Sequence, residues 1–191
     1  GTGEAQQWRL SLEKVSGKDL NWFFNQWYYG SGNPKLSYTY SFEPVKKQVT
    51  VSVNQTQLDK YFQFPLAIDV YENGKPSRKN VWVNAQGKND FVFAATKNPD
   101  FINLNPDGVL LATVDENKTP EQYLSQYQNS KDFSSRYKAV ENAADNKGAN
   151  SSSVKTLVAA LKDQNFRIRM KALSGLDLSQ PDQAKAAIKE V

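Results

Sequence analysis

Histidine and cysteine are both absent from the 191 residues, and methionine occurs once. The lack of cysteine excludes disulfides and thiolate metal sites, but it assigns no compartment, because reduced cytosolic and oxidised periplasmic proteins alike can do without it. A zinc ion would find neither imidazole nor thiolate here. The carboxylates at Asp69, Asp90, Asp100, Asp107 and Asp115 are scattered beside turns, with no paired acid and base and no Asp-x-Asp-x-Asp-Gly calcium loop. No apolar run approaches the ~18 residues of a membrane span, and no basic stretch leads into the hydrophobic core of an export signal.

A strong excess of one charge is missing as well. The formal charge is +4, with 13 basic and 12 acidic groups in residues 1–118 and 11 and 8 in residues 119–191. Basic and acidic residues are interleaved rather than clustered, the pattern of solvated faces and not of a phosphate-binding patch, so no nucleic-acid partner is expected. The chain is 39% hydrophobic and 12% aromatic, enough to build a core in one large or two small domains.

The stretch from Ser16 to Pro34 divides the sequence. Asp19 can cap a helix on which Leu20, Phe23, Phe24 and Trp27 fall at i, i+3, i+4 and i+7, one apolar stripe. Gly30-Ser31-Gly32-Asn33-Pro34 then stops the helix. The stripe is expected to pack on the first helix and on the near end of the strands that follow, fixing a domain junction. That first helix, Glu4 to Val15, places Trp8, Leu12 and Val15 on one face. Two readings stay open for the pair: they complete a larger helical subdomain, leaving them, with Trp22, Tyr28 and Tyr29, only partly covered, or they cap the strands. Gly1-Thr2-Gly3 is set aside as a cloning remnant.

Residues 36–118 predict seven short strands with period-two faces: Leu36, Tyr38, Tyr40 and Phe42; Val49, Val51 and Val53; Leu66, Ile68 and Val70; Val81 and Val83; Phe91 and Phe93; Phe101 to Leu104; Val109 to Val114. Breaks fall at Pro44 to Lys47, Asn73 to Pro76, Ala85 to Gly87 and Pro106 to Gly108. Trp82, opposite Val81 and Val83, should point away from the core, toward another subunit or domain, toward solvent, or toward a sugar or peptide it could stack on.

Thr119-Pro120 marks a helix start, threonine capping and proline at the first helical position. An internal repeat begins there. Asp132 to Val140 aligns with Asn165 to Leu173 at an offset of 33, so Arg136 and Ala139 correspond to Arg169 and Ala172, and Leu124 falls on Leu157. The small alanines allow close helix approach, and a capping role is the default for the arginines. A further helix, Gln183 to Glu190, would open a third unit whose second helix is missing, so the array reads as truncated.

These residues carry a resemblance. Ser16, Gly17, Asp19 and Leu20, then Phe23, Phe24 and Trp27, then Gly32 and Pro34, with Pro99 to Asn105 and Leu110-Leu111 downstream, resemble the end of the catalytic domain and the following β-sandwich of aminopeptidase N-like zinc metallopeptidases, the gluzincin aminopeptidases. The helix pairs resemble HEAT-type repeats. The implied fold is multidomain β plus α: residues 1–33 a helical tail of the absent thermolysin-like catalytic domain, residues 34–118 a seven-stranded Ig-like β-sandwich, residues 119–191 HEAT-like repeats. The family's His-Glu-x-x-His, its third zinc ligand and its Gly-x-Met-Glu-Asn substrate loop are all absent, and Met170 stands in a different setting. The resemblance therefore implies a non-catalytic region that braces the active-site domain and shapes substrate access. Its partners would be that domain and the parent's peptide substrates, with zinc held in the parent and none in this chain. The rival is a non-enzymatic interaction scaffold of the same architecture, and a carbohydrate-binding sandwich using Trp82 is a third class. Compartment is left unassigned.

Overall fold

Val49, Val51 and Val53 are completely buried, as are Phe64 and Ile68, and these five side chains from two different sheets meet in one core. The computed structural model describes residues 4–146 and 149–190, with the side chains of residues 186, 187 and 190 excepted; Gly1 to Gly3 and Val191 lie outside. Two helical segments come first, α1 (Ala5–Ser16) and α2 (Asn21–Phe23), the latter running into a π-helical turn, Phe24–Tyr28. Seven strands follow among the described residues: β1 (Lys35–Glu43), β2 (Gln48–Gln55), β3 (Phe64–Glu72), β4 (Lys75–Val83), β5 (Lys88–Ala94), β6 (Phe101–Leu104) and β7 (Thr113–Asp115). Five helices end the chain: α3 (Pro120–Asn129), α4 (Phe133–Asp145), α5 (Ser151–Ala160), α6 (Phe166–Gly175) and α7 (Pro181–Glu190).

The strands form sheets of order β5-β2-β1-β7 and β4-β3-β6, antiparallel throughout except that β7 runs parallel to β1. In β2 the alternation is complete, with valines inward and Thr50, Ser52 and Asn54 outward, the signature of a sheet with one solvated face. β6 breaks it: Phe101, Ile102, Asn103 and Leu104 are all buried. Ile102 and Leu104 enter the inter-sheet core, whereas Asn103 meets Ser135 on α4, so β6 is covered on both faces while the edge strand β4 stays largely exposed.

Turn chemistry sets the hairpins. Asn73 and Gly74 both have positive φ, 52° and 71°, the two-residue turn that matches strand twist. Strand pairing resumes at once, so Pro76, expected in the break, lies inside β4 opposite Tyr71, tolerated because β4 is an edge strand. The expected strand from Val109 to Val114 shrinks to Thr113–Asp115. Asn105 adopts a φ of 50° and clamps Leu110 through its amide, donating to Leu110 O at 2.9 Å and accepting from Leu110 N at 3.0 Å, which leaves Val109 and Leu111 exposed.

The helix expected from Leu20 onward also differs. It holds α geometry only to Phe23, after which Tyr29 N donates to Phe24 O at 2.9 Å, an i→i+5 bond. The wider turn splits the stripe. Phe24 is buried beneath Trp8 (ring centroids 5.4 Å) and Trp27 packs on Phe62 (5.4 Å), but Phe23 is left 41% exposed. On α1 Trp8 reaches across to the turn, meeting Phe24 and Tyr28, and remains half exposed; Leu12 is 38% exposed and Val15 88%.

In the terminal helices, Thr119 and Gln122 form the reciprocal capping box, Gln122 N donating to Thr119 Oγ1 and Thr119 N to Gln122 Oε1. Asp132 and Asn165, 33 residues apart, cap α4 and α6. Leu157, Ile168, Ala172 and Val140 make a second core, separate from that of the sheets. No helix among the described residues is long and apolar enough to cross a membrane.

Candidate functional site

The features that could carry function lie at two joints, one where the terminal helices meet the sheets and one where the first helices meet them. The rear joint, where α3 and α4 meet the second sheet, is polar and sealed. Lys118, on the connector between β7 and α3, is 2% exposed, and its ammonium donates to Glu116 Oε2 at 2.7 Å, Asn103 Oδ1 at 2.6 Å and Gln126 Oε1 at 2.6 Å. The rings of Phe101 and Tyr123 lie 5.8 Å from it. Both amides turn their other end to α4: Asn103 Nδ2 donates to Ser135 Oγ at 3.2 Å, and Gln126 Nε2 donates to Ser135 O at 2.8 Å. Lys138 of α4 reaches Glu116 Oε1 at 3.4 Å.

Burial pulls the Lys118 ammonium down to about 8, against the pull of Glu116, so it still carries its proton at neutral pH. Burial also pushes the Tyr38 phenol well above its ordinary value, with Glu116 adding to the rise, while its hydroxyl donates to Ile102 O at 2.8 Å. The crevice between Asn105, Ser134 and Lys138 has no room for a water molecule. With its three N–H donors all taken up by protein oxygens, this lysine is placed to hold elements together rather than to attack a substrate. Around it, Gln122 Nε2 donates to Tyr40 Oη at 2.8 Å, and Tyr71 stacks on Phe101 at 4.1 Å with its hydroxyl 3.4 Å from Ser130 Oγ. Gly74, at a φ of 71°, lies against the Asn129 side chain, whose Oδ1 would have to move from the 2.4 Å at which it would meet a Cβ there.

The front joint is aromatic and open. Gln26 is stitched to the backbone of Gln63 in both directions, Nε2 to Gln63 O and Gln63 N to Oε1, each at 2.9 Å. Trp22 of α2 meets Trp82 edge to face at 5.1 Å, so the outward face of Trp82 is partly occupied from within the chain. Beyond that contact Trp8, Phe23, Tyr28, Tyr29 and Trp82 are each at least two-fifths exposed. Between α1 and Tyr28 lies an open groove of about 360 Å³, lined by Glu4, Gln7, Trp8 and Ser11.

Of the residues singled out in the sequence, Leu20, Phe23, Phe24 and Trp27 all stand at this front joint, Leu20 half-buried with its N–H bound to Glu13 Oε1 at 2.9 Å. The repeat pair lies elsewhere. Arg136 Nη1 donates to Lys131 O and Arg169 Nη1 to Gln164 O, five residues back in each case. Arg136 also grips Asp163, Nε to Oδ2 at 3.0 Å, which ties one helix pair to the next. Ala139 and Ala172 are fully buried. The carboxylates read as scattered are not all so: Asp69, 4% exposed, and Asp107 close on the single guanidinium of Arg78, which donates Nε to Asp69 Oδ1 at 2.8 Å and Nη2 to Asp69 Oδ2 at 2.9 Å. The β3–β4 register and the Asn105 loop bring these groups together, and periodicity gives no notice of it. No three His, Cys, Asp or Glu side chains among the described residues converge as metal ligands.

Lys118, Glu116, Asn103 and Gln126 were missed. Their one signal was polarity out of place: an amide within Phe-Ile-Asn-Leu, and a glutamine three residues from Tyr123 on the helix face that packs inward.

Comparison with solved structures finds the same fold in a crystal structure of Legionella pneumophila aminopeptidase A in complex with aspartic acid. The likeness has a TM-score of 0.75 at 16% sequence identity, and it covers 99% of this chain and 25% of that one. The chain thus spans a quarter of the length of that aminopeptidase. Neither family models nor curated proteins give a match to the sequence.

Proposed function

We propose that this chain is the non-catalytic C-terminal region of a zinc-dependent aminopeptidase of the aminopeptidase N-like type. The observation that carries the reading is a shared fold over helices, sheets and helices together, along 99% of the chain, with a quarter of a solved aminopeptidase. The motif from Ser16 to Pro34 points the same way. In this reading residues 1–33 close off the catalytic domain, residues 34–118 are an Ig-like sandwich that braces it, and residues 119–191 begin a HEAT-like array that shapes access for peptide substrates. Two sheets sharing one core support the sandwich reading, although β7 beside β1 and β4 beside β3 depart from the constant-type immunoglobulin strand order. The parent's zinc does not fit this chain, which offers no histidine, no cysteine and no set of three converging carboxylates among the described residues. The exposed aromatics of the front joint are the surface the catalytic domain would cover.

The rival scaffold reading draws on the apolar residues left exposed on α6, Phe166, Met170 and Leu173, and on Leu178 in the turn that follows it. Amino-acid anilide assays separate the two. The full gene product should turn over anilides and stop when chelated, and the 191-residue chain alone should not. A full gene product without turnover and without bound zinc establishes the scaffold; turnover by this chain that survives repurification overturns both.

A further inference from the structure

The acceptors around Lys118 come from three separate parts of the chain: Asn103 on β6, Glu116 on the connector and Gln126 on α3. An ammonium has three N–H donors and no acceptor, so it admits only oxygen toward itself. It thereby dictates which way both amides face. With their oxygens on Lys118, the NH2 groups of Asn103 and Gln126 must point at α4, where they find the hydroxyl and the carbonyl of Ser135. If Gln126 turned over, its oxygen would confront the Ser135 carbonyl, two acceptors with no proton between them, and α3 would be pushed from α4. Among the described residues no buried side-chain polar atom lacks a partner in the arrangement as it stands.

We propose that Lys118 is a positioning residue that keys the rear joint, one ammonium fixing the angle at which the α3–α4 pair sits on the second sheet. The apolar contacts of the joint supply attraction without direction, whereas two oriented amides specify one arrangement of β6, α3 and α4. Glu116 and Lys138 complete the charge pattern around it, with the rings of Phe101 and Tyr123 beside the ammonium. The joint is then a rigid coupling and not a hinge, and this holds whether the parent is a peptidase or a scaffold.

Because the chain has no cysteine, spin labels can be placed at will, here by Ser77→Cys on β4 and Lys155→Cys on α5, both exposed. Electron–electron double resonance on the otherwise unaltered 191-residue chain should give one narrow distance. Lys118→Met should at least double the width of that distribution or split it. Gln126→Met, which keeps the volume and removes only the oriented amide, should broaden it to a lesser degree while circular dichroism stays unchanged. If Lys118→Met does not fold, Gln126→Met decides. A folded variant of either kind that keeps the unaltered narrow peak overturns the proposal and leaves the angle to apolar packing.

Discussion

The two joints that hold helices to the sheets are built on opposite plans. At the rear, polar side chains meet, exclude water and satisfy one another; at the front, aromatic side chains meet one another and still face solvent. A sealed polar contact is costly unless every group is paired, so its completeness marks an interface finished within this chain. Aromatic surface left open carries no such requirement and is what a separate partner would cover. The contrast supports reading the front as the side facing the rest of the parent.

Several measurements would sharpen or break this contrast. The largest effect should come from Lys118→Met, which strands Glu116 and two amide oxygens; removing one partner of a buried pair costs about 3–5 kcal/mol, read as a fall in thermal midpoint. Loss of under 1 kcal/mol would mean the rear joint is held by apolar contacts, like the front. Next comes pH. The Lys118 folded value of about 8 lies below the ~10.5 of the unfolded chain, so the unfolded state binds the extra proton and stability should rise as pH climbs from 8 toward 10. Tyr38 acts in the other direction: its folded value is raised, so its contribution is present below pH 10 and is lost as pH climbs through that higher value. Thermal midpoints across pH 7 to 12 should climb and then fall, and the climb should vanish in Lys118→Met.

A smaller effect is expected from Thr119→Ala, which removes half of the capping box at the start of α3 and should cost about 1 kcal/mol, measured by urea unfolding. Smallest is Phe23→Ala at the front. At 41% exposure with its neighbours Trp22 and Phe24 as its ring contacts, it should change stability by roughly 0.5 kcal/mol or less. A shift of several kcal/mol would show that the front joint is as closed as the rear.

Periodicity made much of this fold legible. The valines of β2, the Asn73-Gly74 hairpin, the Thr119 cap and the offset of 33 between Arg136 and Arg169 are each local signals, written within a few residues of where they act. What escaped was non-local. Asp69 and Asp107 meet only because β4 carries Arg78 between them, and Lys118 sits on a connector whose partners come from two other elements and its own. The exposure of Phe23 escaped for a different reason: helical spacing assumes 3.6 residues per turn, and the i→i+5 bond from Tyr29 to Phe24 breaks that count. The front joint was therefore half legible and the rear one nearly silent, although two misplaced amides hinted at it.

The paired arginines have one more implication, for what lengths this architecture tolerates. Arg136 and Arg169 each reach back five residues to a backbone carbonyl in the turn that opens their helix. A side chain of fixed reach gauging a fixed span acts as a ruler, and a residue inserted between Lys131 and Arg136, or between Gln164 and Arg169, would carry the guanidinium past its mark. The turn inside each helix pair is thus held to size, and variation in length among chains of this kind should gather outside those two five-residue spans.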